Sequence, residues 1–90
     1  MVTIQMRKFG AILNSRPAGR EAALRVKQIV NGASGDISLD FSKVDLLTPS
    51  FADEFIQGVK RLYQDKKVEP TGFSENKVIE DTLKVVRALD

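Results

Sequence analysis

The sequence predicts an α/β fold, in which a mixed sheet of four or five strands packs with about three helices. Two observations carry this prediction. Apolar residues alternate with polar ones over 2–6 and again over 36–41, which is the period of a β-strand. Longer segments, over 17–31 and 50–63, repeat apolar residues at the spacing of one helix face. Strands that alternate with helices are typical of parallel sheets joined by crossover connections.

The first third of the chain predicts two strands and a helix. Residues 2–6 form the first strand, and residues 11–13 follow Gly10 as a short second strand. Both precede any helix and can pair antiparallel, so the sheet is expected to be mixed. Pro17 fits the first position of a helix that ends at the pair Asn31-Gly32. The inner face of this helix is expected to hold Ala22, Val26, Ile29 and Val30.

The middle of the chain predicts a strand and a second helix. Residues 36–41 are the clearest strand, with Ile37, Leu39 and Phe41 on one face and Ser38 and Asp40 on the other. After a loop over 42–49, Ser50 and Asp53 have the form of a capping box, with Ser50 as the N-cap of a helix. The apolar stripe of that helix is Ala52, Phe55, Ile56, Val59, Leu62 and Tyr63.

The last third predicts a short strand at 67–69, a turn at 70–72 and a third helix from residue 74 or 75. Ile79, Leu83 and Val86 are expected to point inward from this helix. At 90 residues, the chain buries only about 60–65% of the surface that its unfolded form exposes, which suffices for one core. We therefore expect a single domain, 1–90.

The composition excludes several chemistries. The chain has no cysteine, histidine or tryptophan, which removes thiolate nucleophiles, disulfides, zinc sites built on Cys or His, and histidine bases. Asp40 and the pair Asp53-Glu54 remain as acid–base groups, but no phosphate loop, nucleophile motif or metal-ligand spacing accompanies them. We predict a non-enzymatic protein without cofactor or metal. No leader-like or membrane-spanning apolar stretch is present, which predicts a cytoplasmic protein.

The net charge of +2 hides a segregation of charge along the chain. Residues 1–35 carry six Lys and Arg against one Glu, whereas residues 36–58 carry one Lys against five acidic residues. Such asymmetry occurs in nucleic-acid-binding proteins, but the chain has no reader motif and no exposed aromatic series. Nucleic-acid binding is therefore the weaker alternative, and internal pairing of the two segments is favoured.

Several motifs carry a resemblance to a known family. They are the glycine of Phe9-Gly10, the pair Ser15-Arg16 with Arg20 four residues on, the strand end Asp40-Phe41, and the helix start Ser-Phe-Ala-Asp-Glu over 50–54. The chain resembles STAS domains, which anti-sigma-factor antagonists and the cytosolic tails of sulphate transporters share. It is most similar to a bacterial group of STAS-like proteins of unknown function. The resemblance implies a STAS-like fold.

The resemblance also implies a partner and a site. In the anti-sigma-factor antagonists, a serine at the start of this helix is phosphorylated by a histidine-kinase-like ATPase, a switch kinase or anti-sigma factor. Ser50 is similar to that serine by position, which makes it the candidate phosphoacceptor. The expected docking face comprises Leu46, Leu47, Thr48, Pro49, Ser50, Phe51, Asp53 and Glu54.

Two alternatives stay open at this site. The phospho-switching members carry an Asp-Ser-Ser-Gly-like loop where this chain reads Thr-Pro-Ser-Phe over 48–51, so the runner-up is a constitutive or self-associating subunit, including a homodimer, without phosphorylation. Arg16 and Arg20 lie four residues apart near a helix start. They form either an anion site or, as we favour, ion pairs with Asp53 and Glu54.

Overall fold

The computed structural model describes residues 1–30 and 35–88. The elements are β1 (Val2–Gln5), β2 (Ile12–Leu13), α1 (Arg16–Val30), β3 (Ile37–Asp40), β4 (Leu46–Leu47), α2 (Pro49–Leu62), β5 (Val68–Thr71) and α3 (Lys77–Val85). A 3-10 helix, Met6–Phe9, separates β1 from β2. The predicted helix end at Asn31-Gly32 lies outside the described residues. Three α-helices are present in the described ranges, as predicted.

The prediction of one mixed sheet of four or five strands is wrong. In the described ranges, the strands form a three-stranded sheet in the order β1-β3-β5 and a separate pair of β2 with β4, and every pairing is parallel. The 3-10 helix and Gly10, with a φ of 133°, turn the chain away from β1 before β2 begins. Each pairing joins two strands that are separated along the chain by a helix. Such crossover connections join parallel strands.

β3 lies in the middle of the larger sheet. Ile37, Leu39 and Phe41 are buried, in agreement with the prediction, but Ser38 is buried as well. The Ser38 hydroxyl lies 2.9 Å from the hydroxyl of Thr71 on β5, so the buried polar group has a hydrogen-bond partner.

Pro70 lies within β5 and not in the predicted turn. The N–H groups of Ile37 and Phe41 donate to the carbonyl oxygens of Lys67 and Thr71. Backbone groups of alternate residues along β5 therefore point toward β3, and the backbone of Pro70 points away from it. Proline is tolerated there because no ladder hydrogen bond is lost. The turn follows at Gly72, whose φ of +71° favours glycine.

The core lies between the helices and the strands. α1 and α2 pack on each other, and the ring of Phe55 lies 5.8 Å from the ring of Phe51 and 5.8 Å from that of Phe9. α3 begins at Lys77, two or three residues later than predicted, because the Asn76 side chain accepts hydrogen bonds from the N–H groups of Val78 and Ile79. Ile79 and Leu83 are buried, and Val86 packs against the core.

Candidate functional site

The first turns of α1 and α2 lie side by side. The parallel pair β2 and β4 leads into the two helices within a few residues. Gly19 allows the helices to touch, because a Cβ atom at this position would lie 2.8 Å from the carbonyl oxygen of Phe51. The exposed first turns of both helices are thus brought to the same end of the molecule.

The prediction that Ser50 is the N-cap of α2 is wrong. The N-cap is Thr48, which has an extended backbone and accepts a hydrogen bond from the N–H of Phe51 at 3.4 Å. Pro49 occupies the first helical turn, a position that suits proline because it needs no N–H there. Because proline is common at the first helical position, Pro49 was the feature of the sequence that indicated Thr48, the residue before it, as the N-cap. Ser50 lies within the first turn of the helix, so the capping box with Asp53 does not form.

Several predicted partner-binding residues are accessible. Ser50 and Pro49 are exposed, and Leu46 keeps 38% of its surface exposed. Thr48 is half-buried, as are Asp53 and Glu54. A phosphoacceptor must be reachable by a kinase, and the exposure of Ser50 meets that requirement.

Two of the predicted partner-binding residues are buried, so the prediction of an exposed role is wrong for them. Leu47 is 1% exposed, and its carbonyl oxygen accepts a hydrogen bond from the Thr82 hydroxyl of α3 at 2.8 Å. Phe51 is 2% exposed and stacks on Phe55. Both side chains complete the core because β4 and α2 present one face to α3 and α1.

One accessible residue was missed from the sequence. Ile12 is 60% exposed and lies directly opposite Leu46 in the pair of β2 with β4. The two side chains form an exposed apolar pair close to the first turn of α2. The predicted strand over 11–13 contained this residue, but its partner strand, β4, was predicted as loop.

Arg16 and Arg20 lie against the two acidic residues of α2. Nη1 of Arg16 lies 3.1 Å from Oδ2 of Asp53 and 3.0 Å from Oε2 of Glu54. Nε of Arg20 lies 3.1 Å from Oε1 of Glu54. The structure therefore has the ion-pair arrangement between the two helix starts, with Glu54 held by both arginines.

These contacts shift the pKa values of their members. The hydrogen bond from Arg20, and to a smaller extent the one from Arg16, lowers the pKa of Glu54 below the ordinary value for a glutamate side chain. Hydrogen bonds to Asp53 and then Glu54 raise the pKa of Arg16. Because the folded state holds Glu54 at a lower pKa than the unfolded state, this carboxylate stabilises the fold above about pH 4.5. The contribution is lost as the pH falls through the lowered pKa.

We predict that exchanging the charges of Arg20 and Glu54 preserves stability better than either single change. Arg20→Glu and Glu54→Arg each place like charges side by side, whereas the double variant restores an opposite pair. Urea denaturation at pH 7 and at successively lower pH measures this coupling, which should be small because the pair is largely exposed to solvent. The coupling should decrease as the pH falls through the lowered pKa of Glu54. Additive losses at pH 7 would contradict the internal ion pair.

Asp40 has a local structural role at the end of β3. Its Oδ1 accepts hydrogen bonds from the hydroxyl of Ser42 at 2.6 Å and from the Ser42 N–H at 2.9 Å. These bonds lower the pKa of Asp40, so this carboxyl stays ionised at neutral pH. Gly72 packs against the same turn, where a Cβ atom would overlap with Asp40 and Ser42.

The described ranges contain no group of three or more acidic side chains arranged to hold a metal ion. Over the same residues, 1–30 and 35–88, no helix combines the length and apolar character that crossing a membrane requires.

The fold and the paired helix starts define a small α/β domain built on parallel strands. The chain belongs to the family described as STAS-like domain of unknown function (DUF4325), whose model matches residues 23–78, more than half of the chain. This result confirms the resemblance. The match includes the motifs at Asp40-Phe41 and over 50–54, whereas Arg16 and Arg20 precede it. No curated protein matches the chain, and no solved structure does.

Proposed function

We propose that this protein is a non-enzymatic regulatory module that binds a protein partner at the helix-start surface, defined as Ile12, Leu46, Pro49 and Ser50. The observation that carries this proposal is the exposure of Ser50 in the first turn of α2, next to the exposed apolar pair of Ile12 and Leu46. Apolar side chains can anchor a partner, and a neighbouring group that changes its charge can weaken that contact. Modification of Ser50 could therefore switch binding at this surface.

The surroundings of Ser50 favour phosphorylation as the switch. The first turn of α2 contains no acidic residue, so a phosphate there meets the positive end of the helix dipole. Asp53 and Glu54 lie three and four residues further along, on the same face as Ser50. Because Arg16 and Arg20 already pair with these carboxylates, repulsion of a phosphate is reduced.

A phosphate on Ser50 would also compete for Arg16. This arginine contacts both Asp53 and Glu54, the neighbours of Ser50 on the helix face. A phosphate carries about −1.5 to −2 charges and pairs well with a guanidinium. Modification would therefore change the charge of the helix-start surface and rearrange its ion pairs. The partner that the family resemblance favours is a histidine-kinase-like ATPase.

Affinity purification from the native host tests this function. Tagged wild type, Ser50→Ala and Ser50→Asp are compared by mass spectrometry, with Ser74→Asp as a control that adds the same charge at an exposed serine outside the surface. We expect phosphate on Ser50 of the wild type, and a partner that Ser50→Asp alone loses. Ser50→Ala should fold normally because Thr48 is the N-cap. An unmodified Ser50 and identical partners for all variants would refute the switch.

The second candidate function is a constitutive or self-associating subunit. The exposed pair of Ile12 and Leu46 favours it, because two copies could bury this apolar surface together. Sedimentation analysis of wild type and Leu46→Glu distinguishes the two functions. A dimer that Leu46→Glu dissociates, without any phosphate on Ser50, would support the subunit.

A further inference from the structure

A basic cleft lies at the other end of α2 from Ser50. It is a depression of about 730 Å³ between the end of α2, the segment after α3 and the outer edge of β5. The charged residues that line it are Lys60, Lys66, Lys67, Glu69 and Arg87. α2 has 14 residues, so the cleft and the helix-start surface are about 20 Å apart along the helix.

The cleft carries an excess of positive charge. Four of the five charged residues are cations, and the one carboxylate, on Glu69, pairs with Nζ of Lys67 at 2.8 Å. Nζ of Lys66 donates to the carbonyl oxygen of Gly35 at 3.0 Å. Lys60 and Arg87 form no ion pair with any described residue. An anionic ligand could therefore bind Lys60 and Arg87 without breaking an ion pair to any described residue.

The open edge of β5 forms one wall of this cleft. In the described ranges β5 pairs only with β3, and its other edge is unpaired. The backbone carbonyl oxygens of Lys67 and Thr71 point toward β3. Because backbone groups alternate along a strand, those of Val68 and Pro70 point the other way, toward the cleft. Val68 presents an N–H and a carbonyl oxygen there, and Pro70 presents a carbonyl oxygen. These groups suit the backbone of an added strand.

We propose that the basic cleft binds an acidic, extended segment of a partner protein as an additional strand on β5. The cations complement acidic side chains, and the edge of β5 complements a peptide backbone. The lysines beside this strand edge also hinder pairing with a basic strand, including a second copy of the same segment. The occupant selected by this edge is therefore acidic.

A peptide fits the cleft better than a nucleic acid does. Single-stranded nucleic acids bind through several stacked aromatic side chains, and Tyr63 is the one aromatic residue among those lining the cleft. Glu69 also repels a phosphate backbone, whereas a peptide can place a neutral or basic side chain beside it. Occupation of both the cleft and the helix-start surface would let the protein bridge two partners.

Fluorescence anisotropy with synthetic probes tests this proposal. The probe is a labelled peptide of about eight residues that alternates glutamate and valine, the length of a typical strand. We expect salt-dependent binding to the wild type, at least about tenfold weaker binding to Lys60→Glu/Arg87→Glu, and unchanged affinity for Arg7→Glu/Lys8→Glu. The second pair makes the same charge change at two exposed residues outside the cleft.

The backbone part of the proposal has its own control. The same peptide with alternate amides methylated keeps its charge but cannot donate to the edge of β5, and should bind at least about tenfold more weakly. Amide chemical shifts of the wild type should change at Val68 and its neighbours, a readout that does not depend on how the variants fold.

Three results would overturn the proposal. They are equal affinity for the cleft and control variants, shifts located away from β5, and tighter binding of a single-stranded oligonucleotide that displaces the peptide. The last result would identify the cleft as a nucleic-acid site. None of these measurements involves Ser50, so the outcome is independent of the proposed switch.

Discussion

Substitution of Phe55 with alanine is expected to lower the free energy of unfolding by about 3–5 kcal/mol. Phe55 is 1% exposed, and its ring contacts those of Phe51 and Phe9. Removal of the ring loses its burial and leaves a cavity between α2 and the 3-10 helix. A domain of this size is stable by about 5–13 kcal/mol, so the variant should lose a large part of its stability. Urea denaturation followed by circular dichroism measures the loss.

Gln57→Ala is the matched control for this substitution. Gln57 lies two residues further along α2 and is exposed, so truncation there should change stability by at most about 0.5 kcal/mol. If Phe55→Ala were as stable as Gln57→Ala, the aromatic cluster would not be the centre of the core.

Substitution of Gly19 with valine is expected to lower the free energy of unfolding by about 2–3 kcal/mol. Its Cβ atom would lie 2.8 Å from the carbonyl oxygen of Phe51 and 3.2 Å from Cβ of Glu54. The first contact is with backbone, which no rotamer change relieves, so α1 and α2 must separate. The better helix propensity of valine offsets only a few tenths of a kcal/mol. Thermal and urea denaturation both report this effect.

The same substitution should weaken the contacts of the helix starts. Separation of α1 from α2 moves Arg16 and Arg20 away from Glu54, so the carboxyl pKa of Glu54 should rise toward its ordinary value. Carboxyl titration by NMR follows this change. Ala18→Val is the control, because Ala18 is exposed on the same helix and should lose only about 0.6 kcal/mol. Equal losses for the two variants would contradict the close approach at Gly19.

Much of the local structure was predictable because strong periodic signals and tertiary packing agree. The alternation over 36–41 predicted β3, and the apolar stripe beginning at Ala52 predicted α2. The motifs at Asp40-Phe41 and over 50–54 predicted the family. β4 was missed because two residues, Leu46–Leu47, are too few to show a period. The N-cap was misassigned because Ser50 and Thr48 both carry a hydroxyl.

The sequence by itself determined the three α-helices and the approximate position of every described strand except β4, since those preferences are local. It also determined the family through short motifs. Only the tertiary structure decided that the described strands pair in parallel in two separate sheets, because pairing depends on where each crossover returns the chain. It also decided that Leu46 is accessible while Leu47 is buried, because α3 covers one face of β4. The basic cleft assembles from three segments separated in sequence, so no single stretch of the chain could reveal it.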